Sequence, residues 1–199
     1  MKGETVMFMI CLTSANILST NNDTEIIENC IYKIAEKNSH ALAELYNITS
    51  TSVYAFALSI LKNTQDAEDV LHDCYINIHA AAGNYQSKQK PMAWILTITK
   101  NLCLQKLREY KKKSDIPQED WQKYLEEQEK ISSEDKLVLK ECMNNLSDEE
   151  RQIVVLHAVG GFKHREIAEI LLLPLPTVLS KYNRALKKLK KAFMKGDGQ

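Results

Sequence analysis

Six glycines and four prolines are all the conformational punctuation in this chain of 199 residues. Sheets need turns at short intervals, and turns are built from Gly, Pro, Asn and Asp. A chain so sparsely interrupted is expected to fold as long helices. The spacing of its apolar residues agrees. A first helix is predicted over 25–37. Leu42, Leu45, Tyr46, Val53, Phe56, Ala57 and Ile60 recur at helical intervals and predict a second over 39–61. A polar break follows, Lys62-Asn63-Thr64-Gln65. Val70, Cys74 and Ile78, four apart, with Leu71 and Tyr75 beside them, then predict a helix over 66–81. Gly83 and Asn84 end it. Pro91 is placed for the first turn of a helix reaching Lys113, with Trp94, Ile95, Ile98, Leu102 and Leu107 as its apolar positions.

The formal net charge is zero, but the charges are unevenly distributed. Asp66, Asp69 and Asp73, spaced three and four apart, are expected to share a helix face opposite the apolar stripe. Between Gln86 and Lys113 stand Lys88, Lys90, Lys100, Lys106, Arg108, Lys111, Lys112 and Lys113 against Glu109 alone. The loop before this basic helix carries Tyr85 beside two lysines. Aromatic rings next to cations suit single-stranded nucleic acid, because bases stack on rings while phosphates meet lysine. Tyr85 and Trp94 serve equally well as core residues, and for Trp94 packing is the preferred reading. Over 114–136 the sign reverses, with eight acids against Lys123, Lys130 and Lys136, as expected of a solvated linker with a transient helix around 121–130.

A second unit follows. Leu137 to Leu146 is amphipathic. Ser147-Asp148-Glu149-Glu150 is a capping box, in which Ser147 bonds the amide of Glu150 and Glu150 reaches back. The helix it starts stops at Gly160-Gly161. A short helix over 163–171 and the turn Leu172-Leu173-Pro174-Leu175 lead to a last helix, from Pro176 to about Phe193. That helix holds Lys181, Arg184, Lys187, Lys188, Lys190 and Lys191 and no acid. A short helix, a tight turn and a basic helix make a helix-turn-helix, whose second helix enters the DNA major groove. The bland alternative is a solvated basic helix on an ordinary bundle.

Other functions find little support. The five cysteines (Cys11, Cys30, Cys74, Cys103, Cys142) are scattered and form no C-x-x-C pair. This argues against a disulfide framework or a zinc knuckle and for a reducing cytoplasm, with Cys74 and Cys103 read as packing residues. His72 and His79, seven apart, have no evident third ligand, so no metal or other cofactor is expected. No phosphate-binding glycine loop, H-E-x-x-H or G-x-S-x-G is present, so neither an enzyme nor a small-molecule substrate is expected. The apolar run Val6 to Leu12 has the outline of a signal peptide. It is short and flanked by Glu4, so residues 1–24 are read as a disordered extension, with the true start codon left open.

Three stretches, DAEDVLHDCYINI, PMAWILTITKNLCLQKLREYKKK and LSDEERQIVVLHAVGGFKHREIAEILLLPLPTVLSKYNRALKKLKK, in this order and split by an acidic linker, resemble the extracytoplasmic-function sigma factors of bacterial RNA polymerase. The resemblance covers about residues 30–113 and 137–193. It implies an all-α protein of two small helical domains joined by the acidic linker. Residues 25–113 would form the polymerase-docking and minus-ten domain, 114–136 the linker, 137–193 the helix-turn-helix domain that reads the minus-thirty-five element, and 194–199 a tail. Asp66, Asp69, His72 and Asp73 fall where the family docks on core RNA polymerase, an acidic face for a basic partner. Tyr85, Lys88, Lys90, Lys100, Asn101, Lys106 and Arg108 match the part that opens and grips promoter DNA at the minus-ten element, by flipping a base out of the non-template strand. Thr177, Ser180, Lys181, Asn183, Arg184 and Lys187 lie on the helix that faces the minus-thirty-five element. Residues 114–134, fully extended, reach roughly 70 Å, about twenty base pairs. Two modest contacts so tethered combine into a strong one. The family also implies an inhibitory anti-sigma partner, commonly in the membrane.

The chain departs from the family at four positions. Leu172 stands where the family has Gly in the turn, at a cost of about 1–2 kcal/mol if the backbone there is left-handed. Pro176 also replaces Gly, Leu179 replaces a basic residue, and His72 replaces Gln. Weak or altered minus-thirty-five binding is therefore expected. Two other readings stay open: a helix-turn-helix regulator that never docks on polymerase, and a degenerate sigma relative that only sequesters partners.

Overall fold

The computed structural model describes residues 21–113 and 143–196. Seven helices and no strand are found among the described residues. They are α1 (Asn21–Ala35), α2 (Ser39–Leu61), α3 (Thr64–Ala81), α4 (Pro91–Lys113), α5 (Asp148–Ala158), α6 (His164–Leu171) and α7 (Leu175–Gly196), with a 3-10 turn at Ala82–Asn84. The expected helices at 121–130 and, up to Cys142, at 137–146 lie outside the described residues, as do the linker over 114–136 and the first twenty residues of the extension. Helix α1 begins at Asn21, four residues before the sequence reading, so the helix takes in the end of the expected extension.

Local chemistry explains the boundaries. Asn38 accepts the amide of His40 and opens α2. Lys62 adopts a left-handed conformation (φ 59°), and its N–H closes α2 on Leu58 O at 2.8 Å. One residue on, Asn63 accepts the amide of Asp66 at 3.0 Å and starts α3. The polar break 62–65 is thus a stop and a start back to back. The capping box of α5 forms as read: Ser147 accepts from Glu150 N, and Glu150 accepts from Ser147 N at 2.9 Å.

Helices α1 to α4 pack around Ile27, Ile31, Leu45, Phe56, Ile78, Ile95 and Leu96, all buried. Cys74 and Cys103 are buried, and burial raises both thiols, Cys74 to about 11, so neither is a thiolate at neutral pH. Tyr75 O–H meets Thr49 Oγ1 at 2.6 Å, and Thr49 in turn donates to Leu45 O, which satisfies two buried hydroxyls. Trp94, expected to pack, is half-buried against this core. Helices α5 to α7 form the second unit around Ile153, Leu156, Ile167, Val178 and Ala185.

The two units touch. Helix α5 lies against α2, and α6 lies against α4. Ile153, Leu156, Ile167 and Ile170 belong to the same buried apolar cluster as Phe56 and Ile95. Lys62 pairs with Asp148 across the contact at 3.1 Å.

Candidate polymerase and nucleic-acid interfaces

Helix α3 buries Val70, Leu71, Cys74, Tyr75 and Ile78 and turns Asp69, His72 and Asp73 to solvent. Asp66 sits apart from these three. It is 7 % exposed, and its Oδ1 accepts from Tyr110 O–H and from Lys106 Nζ at 3.0 Å. Lys106 also reaches Asp69 Oδ2 at 2.6 Å. Burial alone would lower the Lys106 ammonium; its bonds to the two carboxylates outweigh that and hold it above its ordinary value. Lys106, matched to the minus-ten group, is thereby placed with the acidic cluster, where it bridges α4 to the start of α3.

Tyr85, Lys88 and Lys90 lie at the other end of α4, ahead of Pro91, with Lys100 and Asn101 midway along the helix and Arg108 near Lys106. The Tyr85 ring lies 4.9 Å from Trp94 and 5.9 Å, edge-on, from Tyr32, and its hydroxyl donates to Glu28 Oε1 at 3.0 Å. Burial and the Glu28 carboxylate both push that phenol up, so it remains a neutral donor. Lys88 is exposed in the loop. Gln89 is left-handed at φ 56°, turning the chain into Pro91. A cleft of about 400 Å³ opens here, lined by Tyr85, Gln86, Lys88, Trp94, Thr97 and, from the second unit, Glu169 and Ile170. Lys90 Nζ holds both Glu169 oxygens, at 2.7 and 2.9 Å. Lys100 Nζ donates to Ile170 O at 3.1 Å. Burial lowers the Lys100 ammonium from its ordinary value. Asn101 and Arg108 are both exposed on α4.

On α7, Val178, Ala185 and Leu189 are buried, and Ser180, Asn183, Arg184 and Lys187 share the outer face. Thr177 is half-buried. Lys181 leans back to Glu149 at 2.5 Å and Lys188 to Glu150 at 2.6 Å, so both tie α7 to α5. Leu172 has φ 57° and ψ 42°, the left-handed geometry that makes a non-glycine residue costly, and it is 84 % exposed. Leu179 is 41 % exposed beside Ser180 and Asn183.

Sigma-70 region 2 matches residues 45–113 and sigma-70 region 4 matches residues 136–189, together more than half of the chain. The chain belongs to the extracytoplasmic-function sigma factors. Proteins of this class direct promoter recognition by RNA polymerase. The sigma factor is similar to the ECF RNA polymerase sigma factor SigK of Mycobacterium ulcerans, 24 % identical over 165 residues, covering 79 % of this chain and 88 % of that protein. It is likewise similar to SigK of Mycobacterium sp. strain KMS, 25 % identical over 174 residues, with 84 % and 90 % covered. Its fold resembles CnrH, solved in complex with the cytosolic domain of CnrY (TM-score 0.62, 20 % identity, 87 % of this chain and 99 % of that one). It also resembles the sigma factor RpoE of Bartonella quintana, solved with the anti-sigma factor NepR (TM-score 0.61, 20 % identity, 76 % and 96 % covered).

Sequence reading overlooked one surface residue of this sigma factor. Ile76 is 66 % exposed, seven positions after Asp69 on the same face. The signal was available: Val70, Cys74 and Ile78 already fill the apolar stripe, and Ile76 lies off it.

Proposed function

We propose that this sigma factor docks on core RNA polymerase through the outer face of α3, with Asp69, His72 and Asp73 as polar contacts and Ile76 as the apolar anchor. Charges around a desolvated apolar side chain are the usual makeup of a protein interface. Tyr85, Lys88, Lys90, Lys100, Asn101 and Arg108 would grip the opened minus-ten strand, and Thr177, Ser180, Asn183, Arg184 and Lys187 the minus-thirty-five duplex. The observation that carries the reading is the split of α3: its apolar stripe is consumed by the core, while Ile76 and the acids beside it remain on the surface. Asp66 and Lys106 fit this scheme as positioning residues that hold the start of α3. The protein acts in the cytoplasm as an initiation factor, not an enzyme, and is held inactive by an anti-sigma factor, a reading supported by the complex of the Bartonella quintana sigma factor with NepR. Among the described residues no helix is long and apolar enough to cross a membrane.

Run-off transcription with purified core polymerase on a promoter library tests the assignment. Discrete new transcripts are expected, and Asp73→Lys is expected to remove them while the protein stays folded by circular dichroism. Asp73 is the suitable site because its side chain takes no part in the Lys106 cluster. Tight core binding without transcripts would favour the sequestering reading, for which exposed Leu172 in the turn before α7 and exposed Leu179 on α7 are the specific support.

A further inference from the structure

Helix α7 presents an apolar side chain among the polar ones assigned to the minus-thirty-five duplex. Val178, Ala185 and Leu189 fill the side of α7 that faces its own domain, and Tyr182 turns inward, edge-on to His157 and His164 at 4.9 and 4.6 Å. Leu179 stands outside that packing. It is 41 % exposed near the start of the helix, with Ser180 next to it and Asn183 one turn on, both exposed. Arg184 reaches back along the helix to Ser180 Oγ at 3.5 Å. In a helix-turn-helix the N-terminal residues of the second helix meet base edges. Leu179 therefore sits where bases are read, yet its side chain neither donates nor accepts a hydrogen bond. Set against a phosphate or a polar base edge, it would displace water and return nothing. One group in the major groove suits it, the C5-methyl of thymine.

We propose that Leu179 is a specificity-determining residue that reads a thymine by packing on its C5-methyl group. The proposal rests on the assignment of α7 to the minus-thirty-five duplex. Its neighbour supports it. Asn183, four positions on and on the same side of the helix, carries an amide that pairs bidentately with an adenine edge. Leu179 and Asn183 together favour an A·T step over G·C. Leu186, seven positions after Leu179, is 38 % exposed, and that spacing also suits a partner helix. The residues around the two leucines argue for DNA instead. Asn183 interrupts the apolar line, and Lys187 and Lys190 flank it, all three exposed. An apolar partner helix would have to strip water from those groups, whereas beside a DNA groove the lysines meet phosphates.

The full-length protein in complex with core polymerase tests this on a promoter recovered from the transcribed library. Each thymine of the minus-thirty-five element, on both strands, is replaced in turn by uracil, which lacks the methyl and keeps the Watson–Crick edge. Affinity is read by anisotropy of the fluorescein-labelled duplex. At one position uracil should weaken binding by about threefold to fivefold, the effect of one buried methyl. Leu179→Ala should lose a similar factor on the thymine duplex and show no further loss with uracil. Leu179→Arg should move the preference at that pair from thymine towards guanine. Recovered elements without an A·T pair, uracil silent at every position, or a uracil effect that persists in Leu179→Ala would each overturn the proposal. So would a Leu179→Ala defect in binding core polymerase without DNA, together with silent uracils, which would make the contact one with protein. If uracil is silent while Asn183→Ala and Arg184→Ala weaken binding, the assignment of α7 stands and the methyl contact alone fails. If Ser180→Ala, Asn183→Ala and Arg184→Ala are silent as well, α7 does not read the element, and the assignment falls with the proposal.

Discussion

Leu172 combines a left-handed backbone with a side chain almost wholly in water, so it bears the steric cost of a Cβ without burying it. Leu172→Gly is expected to stabilise the protein by about 1 kcal/mol, read as a higher urea midpoint at an unchanged slope. The second domain depends on Arg151 in the opposite sense. It is 2 % exposed and donates to Met143 O, Leu146 O and Asp148 Oδ1 at 3.1–3.2 Å. Its planar fork meets three acceptors in different directions, which an ammonium on a flexible stem does not reproduce. Arg151→Lys should therefore destabilise by about 1–3 kcal/mol, the cost of orphaning buried acceptors, and calorimetry would show it as a lower Tm. The two positions differ in how visible they were beforehand. The family's glycine flagged Leu172, whereas Arg151 reads as an ordinary helix-surface residue until Met143 and Leu146 fold over it.

At the scale of elements, α5 owes its position to Glu150. This buried carboxylate accepts from Ser147 N at one end of its own helix and from Lys188 of α7 at 2.6 Å. Burial alone would raise its carboxyl, but the bonds from Lys188 and the Ser147 amide outweigh that and hold it below the ordinary 4.5. A depressed carboxylate stabilises the fold above its unfolded value, and that stability is lost as pH falls through the folded value. Stability of the second domain should thus be level above about pH 5 and decline below the ordinary carboxylate range. Glu150→Gln should flatten that acid limb and cost about 1–2 kcal/mol at neutral pH, measured by denaturant titration across pH. The stop after α5 is equally specific. A Cβ on Gly160 would lie 2.5 Å from the Phe162 ring and 2.8 Å from Leu156 O. Gly160→Ala is expected to shift Phe162 and destabilise by about 1–3 kcal/mol, again seen in the urea midpoint. Capping box, glycine stop and helix periods were all legible because each is written in neighbouring residues.

Across the whole molecule, the two domains expected to be separate modules share an apolar cluster. Transcription is the function at this scale, and the face of α3 is where it should be most sensitive. Asp73→Lys is expected to abolish run-off product, and Ile76→Ala to reduce it severalfold, about 1 kcal/mol for an anchor of this size, with the melting curve of each variant close to that of the parent.

By itself the sequence determined the all-helical class, the limits of the described helices to within a few residues, and the family. Those properties follow from local capping chemistry and from apolar periodicity. Tertiary structure alone decided the partners of the charged groups. Asp66, Asp69 and Asp73 share spacing but not exposure: Tyr110 and Lys106 of α4 bury Asp66, Asp69 bonds Lys106 from the exposed side, and Asp73 faces solvent. Lys90, Lys100 and Lys106 look equivalent in the basic stretch, yet one meets a carboxylate of α6, one a carbonyl in its last turn, and one the start of α3. A charge in sequence specifies only what a side chain is able to bond, and which partner comes within about 3 Å is settled when helices distant in the chain pack against one another.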